Sequence, residues 1–240
     1  MYPRLWQTFM RLRYQLFQVR SCMCLTKCSD VAVIQNCLSK ENELRCRQQL
    51  QRHSAAYASK KPAAAILVSL CTAKGEPAFL FTLRSSKLKG KHKGDVSFPG
   101  GKVDPSDDSI VHTAVREAQE ELGISVTEEN IWGVMRPLFD GSGMMIAPVL
   151  ANLGSVESLK ICANKEEVEE IFIIPIHHAC AVQNRGYTHF RLRGQYYYTL
   201  PVFLNAQYKV WGLTAVASDT TLALLLPGIY ISMMHIVHQH

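Results

Sequence analysis

Residues 116–123 read R-E-A-Q-E-E-L-G. On a helix, Glu117, Glu120 and Glu121 stand at i, i+3 and i+4 and share one face. Carboxylates that close together repel one another, so a helix gains nothing from them unless a cation sits there. Hard divalent ions such as Mg2+ take carboxylate oxygens and keep part of their coordination shell for phosphates. The stretch therefore predicts a metal-dependent enzyme acting on a phosphate compound. Taken alone it would fit the solvated face of an ordinary acidic helix equally well.

The flanking residues predict how that helix is held. Asp107 or Asp108 is a candidate N-cap, because a short acidic side chain accepts from the free N–H groups at a helix start. Ile110, Val111, Ala114, Val115, Ala118 and Leu122 make the apolar stripe. Gly123 is the stop. Upstream, residues 63–71 form an apolar run of strand length, Lys74-Gly75-Glu76-Pro77 a turn, and residues 78–83 a second strand, together a hairpin. Residues 86–94 make a basic loop closed by Phe98-Pro99-Gly100-Gly101. Gly100 and Gly101 lack a Cβ and would let the backbone approach a metal or phosphate. Downstream, residues 131–138 and 145–150 read as strands around an Asp140–Gly143 turn. Residues 170–176 and 195–203 also read as strands, and residues 210–226 lead into a last helix. Trp211 reads as core. Tyr187, His189, Tyr196, Tyr197 and Tyr198 read as one packed sheet face, and residues 42–52 as a short surface helix.

The motif resembles the box of the Nudix family, G-x5-E-x7-R-E-U-x-E-E-x-G-U, where U is aliphatic. Its second half is complete in Arg116, Glu117, Glu120, Glu121, Gly123 and Ile124. In the first half Arg116 lies one residue late, and Asp107 or Asp108 stands in for the first glutamate. Residues 80–101, L-F-T-L-R-S-S-K-L-K-G-K-H-K-G-D-V-S-F-P-G-G, are similar to the motif of the coenzyme A branch, L-L-T-x-R-[SA]-x3-R-x3-G-x3-F-P-G-G. Thr82, Arg84, Ser85, Gly94, Phe98, Pro99, Gly100 and Gly101 match. Lys89 stands where the pattern has Arg, and Lys91 is an alternative for that basic role.

The resemblance implies an α/β/α sandwich with a mixed sheet and the catalytic helix behind a Gly-Gly loop. It implies Mg2+ or Mn2+ held by Glu117, Glu120 and Glu121, catalysis by Glu120, Glu121 and Arg116, and substrate binding by Arg84, Lys89, Lys91, Gly100 and Gly101. Asp107 and Glu167 are additional candidate acids. Asn164, Glu167, Val168 and Glu170 resemble a late segment of the family that supplies a base or a further metal ligand. The same acids, Glu166 to Glu170, also read as a cluster at a helix start, which the dipole favours. The implied substrates are coenzyme A and acyl-coenzyme A, cleaved at the diphosphate to 3′,5′-ADP and (acyl-)4′-phosphopantetheine. ADP-ribose, NADH, another nucleotide, or binding without turnover are the alternatives. Arg84, Lys89, Lys91 and Lys93 could hold the coenzyme's 3′-phosphate or be a solvated loop.

Charge divides the chain. Its formal net charge is +6, yet residues 1–29 hold Arg4, Arg11, Arg13, Arg20 and Lys27 and no acid. Interleaved with Leu5, Trp6, Phe9, Leu12, Leu16 and Phe17, they have the pattern of a mitochondrial transit peptide, or of a basic surface tail. The remainder is nearly neutral, which gives no broad field for nucleic acid. The domains expected are 1–29 as transit peptide, 30–61 as an extension with a short helix, 62–226 as the hydrolase domain and 227–240 as a tail. The location implied is the mitochondrial matrix. The apolar run at 221–237 is broken by Pro227-Gly228, so no membrane span is expected. Eight scattered cysteines without a C-x-x-C pair argue against structural zinc. A monomer is expected.

Overall fold

The computed structural model describes residues 28–57, 61–88, 92–192, 195–232 and 234–236. Its centre is the predicted hairpin, β1 (Ala64–Ala73) and β2 (Glu76–Arg84), antiparallel with Leu70 opposite Phe79. Side chains alternate across it as a pleated strand requires. Ala65, Leu67 and Cys71 enter one buried cluster, whereas Val68 and Leu70 enter the other. Both faces are covered, which explains the unbroken apolar run.

The sheet is mixed. β7 (Met145–Ser155) lies parallel to β1, and β5 (Ile131–Val134) and β6 (Leu138–Phe139) pair antiparallel with β7. The expected single strand over residues 131–138 is thus two pieces. β8 (Val168–Pro175) pairs along the other side of β2. The first half of β1 and the second half of β2 diverge, and residues 96–102 fill the split. There β3 (Val96–Ser97) pairs with β2, β4 (Gly100–Lys102) pairs with β1, and the Leu67 amide donates to the Pro99 carbonyl at 2.8 Å. The Gly-Gly pair is therefore strand rather than loop.

Helices cover both faces. α3 (Ile110–Leu122) packs Ala114, Ala118 and Leu122 against Leu67, Leu80 and Val149. Beneath the opposite face lie Phe79, Phe81, Phe98 and Phe172, with neighbouring ring centroids 4.7–5.9 Å apart. That face is covered by α1 (Cys28–Gln35), α2 (Lys40–Gln51), α4 (Ile176–Cys180) and α5 (Gly212–Leu225). A separate three-stranded sheet is formed by β9 (Arg185–Leu192), β10 (Gln195–Phe203) and β11 (His235–Ile236).

Three local expectations are corrected. The acids at 166–170 open no helix: they lie in a turn and the start of β8, where Glu169 accepts from the Ser86 amide and Glu170 from Gln207 and Tyr208. Trp211 is not core. It is 43 % exposed, and among the described residues the buried tryptophan is Trp132. The helix over 42–52 starts at Lys40, capped by Ser39, and does more than coat the surface. Its Asn42 and Arg45 donate to the Leu224 and Leu225 carbonyls at the end of α5, at 2.6–3.3 Å. Arg47 donates to the carbonyls of Glu129 and Ile131.

Past Pro227 the chain returns to the body. Tyr230 is buried, its hydroxyl donates to the fully buried Asp219 at 2.5 Å, and Arg185 stacks on its ring. Cys37, Cys46, Cys71, Cys162 and Cys180 are free thiols. Among those residues no helix is long and apolar enough to cross a membrane.

A cation at a helix C-terminus satisfies both the dipole and the orphan carbonyls. Arg45→Ala should therefore cost about 2 kcal/mol and lower Tm by roughly 4–8 °C in a thermal melt, whereas exposed Gln48→Ala should leave it unchanged.

Candidate active site

Everything in the site starts from α3. Its N-cap is Ser109, whose hydroxyl accepts from the His112 amide at 3.1 Å, so neither Asp107 nor Asp108 takes that role. Gly123 ends it in the left-handed region at φ +68°, a conformation that costs glycine little. Between the ends, the helix carries Arg116, Glu117, Glu120 and Glu121 on the face beside its apolar stripe.

Asp107 has a different task. Its carboxylate, shielded from solvent, accepts from Arg116 Nε at 2.9 Å and Nη2 at 3.0 Å, from the Thr113 hydroxyl at 2.8 Å and from the Asp104 amide at 2.9 Å. The two-pronged bond to Arg116 holds its carboxyl well below the usual range. Arg116 also donates to the Lys102 carbonyl at 3.1 Å. Its Nη1 reaches Glu117 and Glu120, at 3.0 Å each. One guanidinium thus ties the strand–helix loop to two acids of the helix face. The pairing of Arg116 with Glu120 is as the sequence predicts. The involvement of Asp104, Thr113 and the Lys102 carbonyl is legible only in three dimensions.

Glu117 lies against β4. A Cβ on Gly101 would stand 2.3–2.6 Å from its carboxylate atoms, so only glycine admits it there. Gly100 pairs with Ile66 of β1, and its amide lies near Glu121. Burial, with the charges of Glu120 and Glu167, raises the Glu117 carboxyl against the lowering effect of Arg116. Glu121 is deeper. Burial pushes its carboxyl up to about 8, Glu117 and Glu167 add to this, and Arg84 and the Gly100 amide oppose it. Arg84 Nη1 stands 3.7 Å from Glu121 Oε1, while Glu121 Oε2 and Arg84 Nε are buried without a hydrogen-bond partner. Glu120 is half exposed.

Glu167 belongs to this group electrostatically. It sits in the turn before β8, held by Asn164 Nδ2 at 3.2 Å, and Val168 pairs with Arg84. The structure therefore brings together Arg84, Gly100, Gly101, Asp107, Arg116, Glu117, Glu120, Glu121 and Glu167. Lys89 and Lys91 lie outside the described residues, and Lys93 is exposed.

Among the described residues, no three acidic, His or Cys side chains already converge as a cage for an ion. Arg116 draws Glu117 and Glu120 to itself, and Glu121 turns toward Arg84. The donor set nevertheless suits a hard cation. It is all oxygen, two of its members are raised by burial and mutual repulsion, and Glu121 Oε2 is an acceptor with nothing to accept from.

Residues 60–193 match the NUDIX domain, and the chain belongs to the Nudix family. Within it, the chain is 51 % identical over 198 residues to the human protein named mitochondrial coenzyme A diphosphatase NUDT8, covering 82 % of this chain and 84 % of that one. It is 53 % identical over 193 residues to the mouse protein of the same name, at 80 % and 92 % coverage. An uncharacterized Nudix hydrolase, NudL of Yersinia enterocolitica, is 33 % identical over 175 residues, at 72 % and 87 %. Members of this family generally use divalent metal ions.

The two pKa shifts have opposite consequences for stability. Glu121 binds its proton more tightly folded than unfolded, so metal-free protein loses stability as pH rises from about 4.5 to about 8. Asp107 binds its proton less tightly folded, so its stabilisation is present above the ordinary carboxylate pKa and is lost as pH falls below it. In melts with EDTA, Glu121→Gln should raise Tm over the parent at pH 8.5 and not at pH 4.5. Asp107→Asn should lower Tm at pH 7, with the gap closing toward acid.

Proposed function

We propose that the chain hydrolyses the diphosphate bond of coenzyme A and acyl-coenzyme A, giving 3′,5′-ADP and (acyl-)4′-phosphopantetheine. The observation that carries this reading is the gathering of Glu117, Glu120 and Glu121 on one helix face against Arg84 and the Gly100–Gly101 strand. Arg84, Gly100 and Gly101 belong to the coenzyme A motif at residues 80–101. The names borne by the human and mouse relatives support the same substrate.

In this reading Glu117, Glu120 and Glu121 hold Mg2+ or Mn2+. When bound, the ion neutralises diphosphate charge and acidifies water. Arg116 keeps Glu117 and Glu120 in register, and Asp107 keeps Arg116 in place. Arg84, whose side chain is part-exposed beside Glu121, takes a phosphate oxygen as Glu121 is released from it. Glu120, the most open of the three acids, accepts the proton of the attacking water. The water oxygen adds to one phosphorus, the bridging P–O bond breaks, and the departing phosphate keeps the electron pair and takes up a proton. Glu167 is a second acid at the rim. Lys89, Lys91 and Lys93 are near in sequence to Arg84 and suit the 3′-phosphate.

The same relatives support a mitochondrial location, and the acid-free, Arg-bearing residues 1–29 support import to the matrix. Of those, residues 1–27 lie outside the described ones.

The full chain with coenzyme A and Mg2+ or Mn2+ should yield 3′,5′-ADP and phosphopantetheine by mass, with all turnover lost in EDTA. Glu120→Gln and Glu121→Gln should each lower kcat/KM by a factor on the order of 10² or more. Hydrolysis of ADP-ribose or NADH with coenzyme A untouched would refute the substrate. Ligand binding without any turnover would refute the enzyme.

A further inference from the structure

Trp211 is a large aromatic side chain left 43 % exposed at the N-cap of α5. The segment that carries it is nevertheless pinned on both sides. Before it, the Tyr208 hydroxyl and Gln207 Nε2 each donate to Glu170 at 2.5 Å, and the Tyr208 ring meets Phe172 edge-on at 5.1 Å. Val210 is buried and bridges to Phe203. After it, the Thr214 hydroxyl donates to the Val96 carbonyl at 3.0 Å.

Both anchors land beside one residue. Glu170 is the partner of Leu83 across β8, and Val96 is its partner across β3. Leu83 immediately precedes Arg84, whose guanidinium is 3.7 Å from Glu121. Neighbouring strands are only about 4.8 Å apart. Trp211 is thus mounted, by contacts of its chain neighbours on both flanks, beside the Leu83–Arg84 end of β2, on the face that Leu83 shares with α5, one residue from the arginine that reaches through to the acids. An exposed aromatic ring carried on backbone pinned on both flanks costs less to order when a second flat ring lies on it than one on a loose loop would. The substrate proposed above has one flat ring, its adenine, joined through a ribose to the diphosphate.

We propose that Trp211 stacks on the adenine of coenzyme A and is a specificity-determining residue of the site; this rests on the coenzyme A reading given above. Trp211 makes no bond to the reacting phosphates, so its contribution is equal in ground and transition states and falls on KM rather than kcat.

Two measurements on the full chain test it, with circular dichroism to verify that each variant folds. In kinetics, Trp211→Ala should raise KM for coenzyme A about tenfold with kcat nearly unchanged, as loss of one base–aromatic stack requires, while Trp211→Phe should recover most of that loss. In binding, Trp6→Phe protein with EDTA retains only buried Trp132 and exposed Trp211, so acrylamide quenching reports Trp211. Adding 3′,5′-ADP should shield it, and phosphopantetheine should not. If coenzyme A is cleaved but Trp211→Ala leaves KM unchanged and 3′,5′-ADP gives no shielding, the stacking proposal is wrong and the substrate reading stands. If 3′,5′-ADP shields Trp211 but coenzyme A is not cleaved, the stacking stands and the enzymatic reading fails. Neither cleavage nor shielding overturns both.

Discussion

The bond between Arg116 and Asp107 is what the acidic face of α3 depends on. Glutamates at i, i+3 and i+4 repel, and burying one of them costs more than surface charge pairs return. Arg116 changes that balance because its planar fork serves four acceptors at once: Asp107, Glu117, Glu120 and the Lys102 carbonyl. A lysine would supply the charge without the geometry. Asp107 in turn is held by Thr113 and the Asp104 amide, so the loop before the helix is ordered by the same carboxylate that orders the arginine.

That clamp leaves Glu121 outside. It is the most buried of the three acids, it lacks a full partner, and its nearest cation, Arg84, stands beyond hydrogen-bond distance. A stability-optimised fold would not keep such a group, and proteins commonly hold strained or unsatisfied groups where they act. The split of the sheet explains why the strain is local. Residues 96–102 fill the gap between β1 and β2, Gly101 admits the Glu117 carboxylate, and the remaining core on both faces is ordinary apolar packing.

Much of this was legible in the chain. The β1–β2 hairpin followed from an apolar run, a turn and a second run. The helix over 110–122 followed from its stripe and Gly123, and the shared face of Glu117, Glu120 and Glu121 from their spacing. What was not legible depended on contacts distant in sequence. Asp107 looked like a helix cap or a substitute acid because nothing in the sequence shows that Arg116 curls back to it while Ser109 takes the cap. The acids at 166–170 looked like a helix start because their pairing with β2 and Tyr208 is remote. Trp211 looked like core because tryptophan usually is, and its exposure follows from where bonds of its neighbours to Glu170 and Val96 fix the chain. The helix over 40–51 looked peripheral because its partners, the last carbonyls of α5, lie some 180 residues away.

In the proposed function, the Glu121 carboxyl, raised by burial, is kept for a divalent cation. A cation binds the carboxylate and not the acid, so its arrival must displace the proton. Titration calorimetry of Mn2+ into the metal-free chain at pH 7, repeated in buffers of different ionisation enthalpy, measures that proton directly. Release of close to one proton per ion in the parent and almost none in Glu121→Gln is the expected result. Tight binding with no proton released, or equal release from the variant, would contradict it.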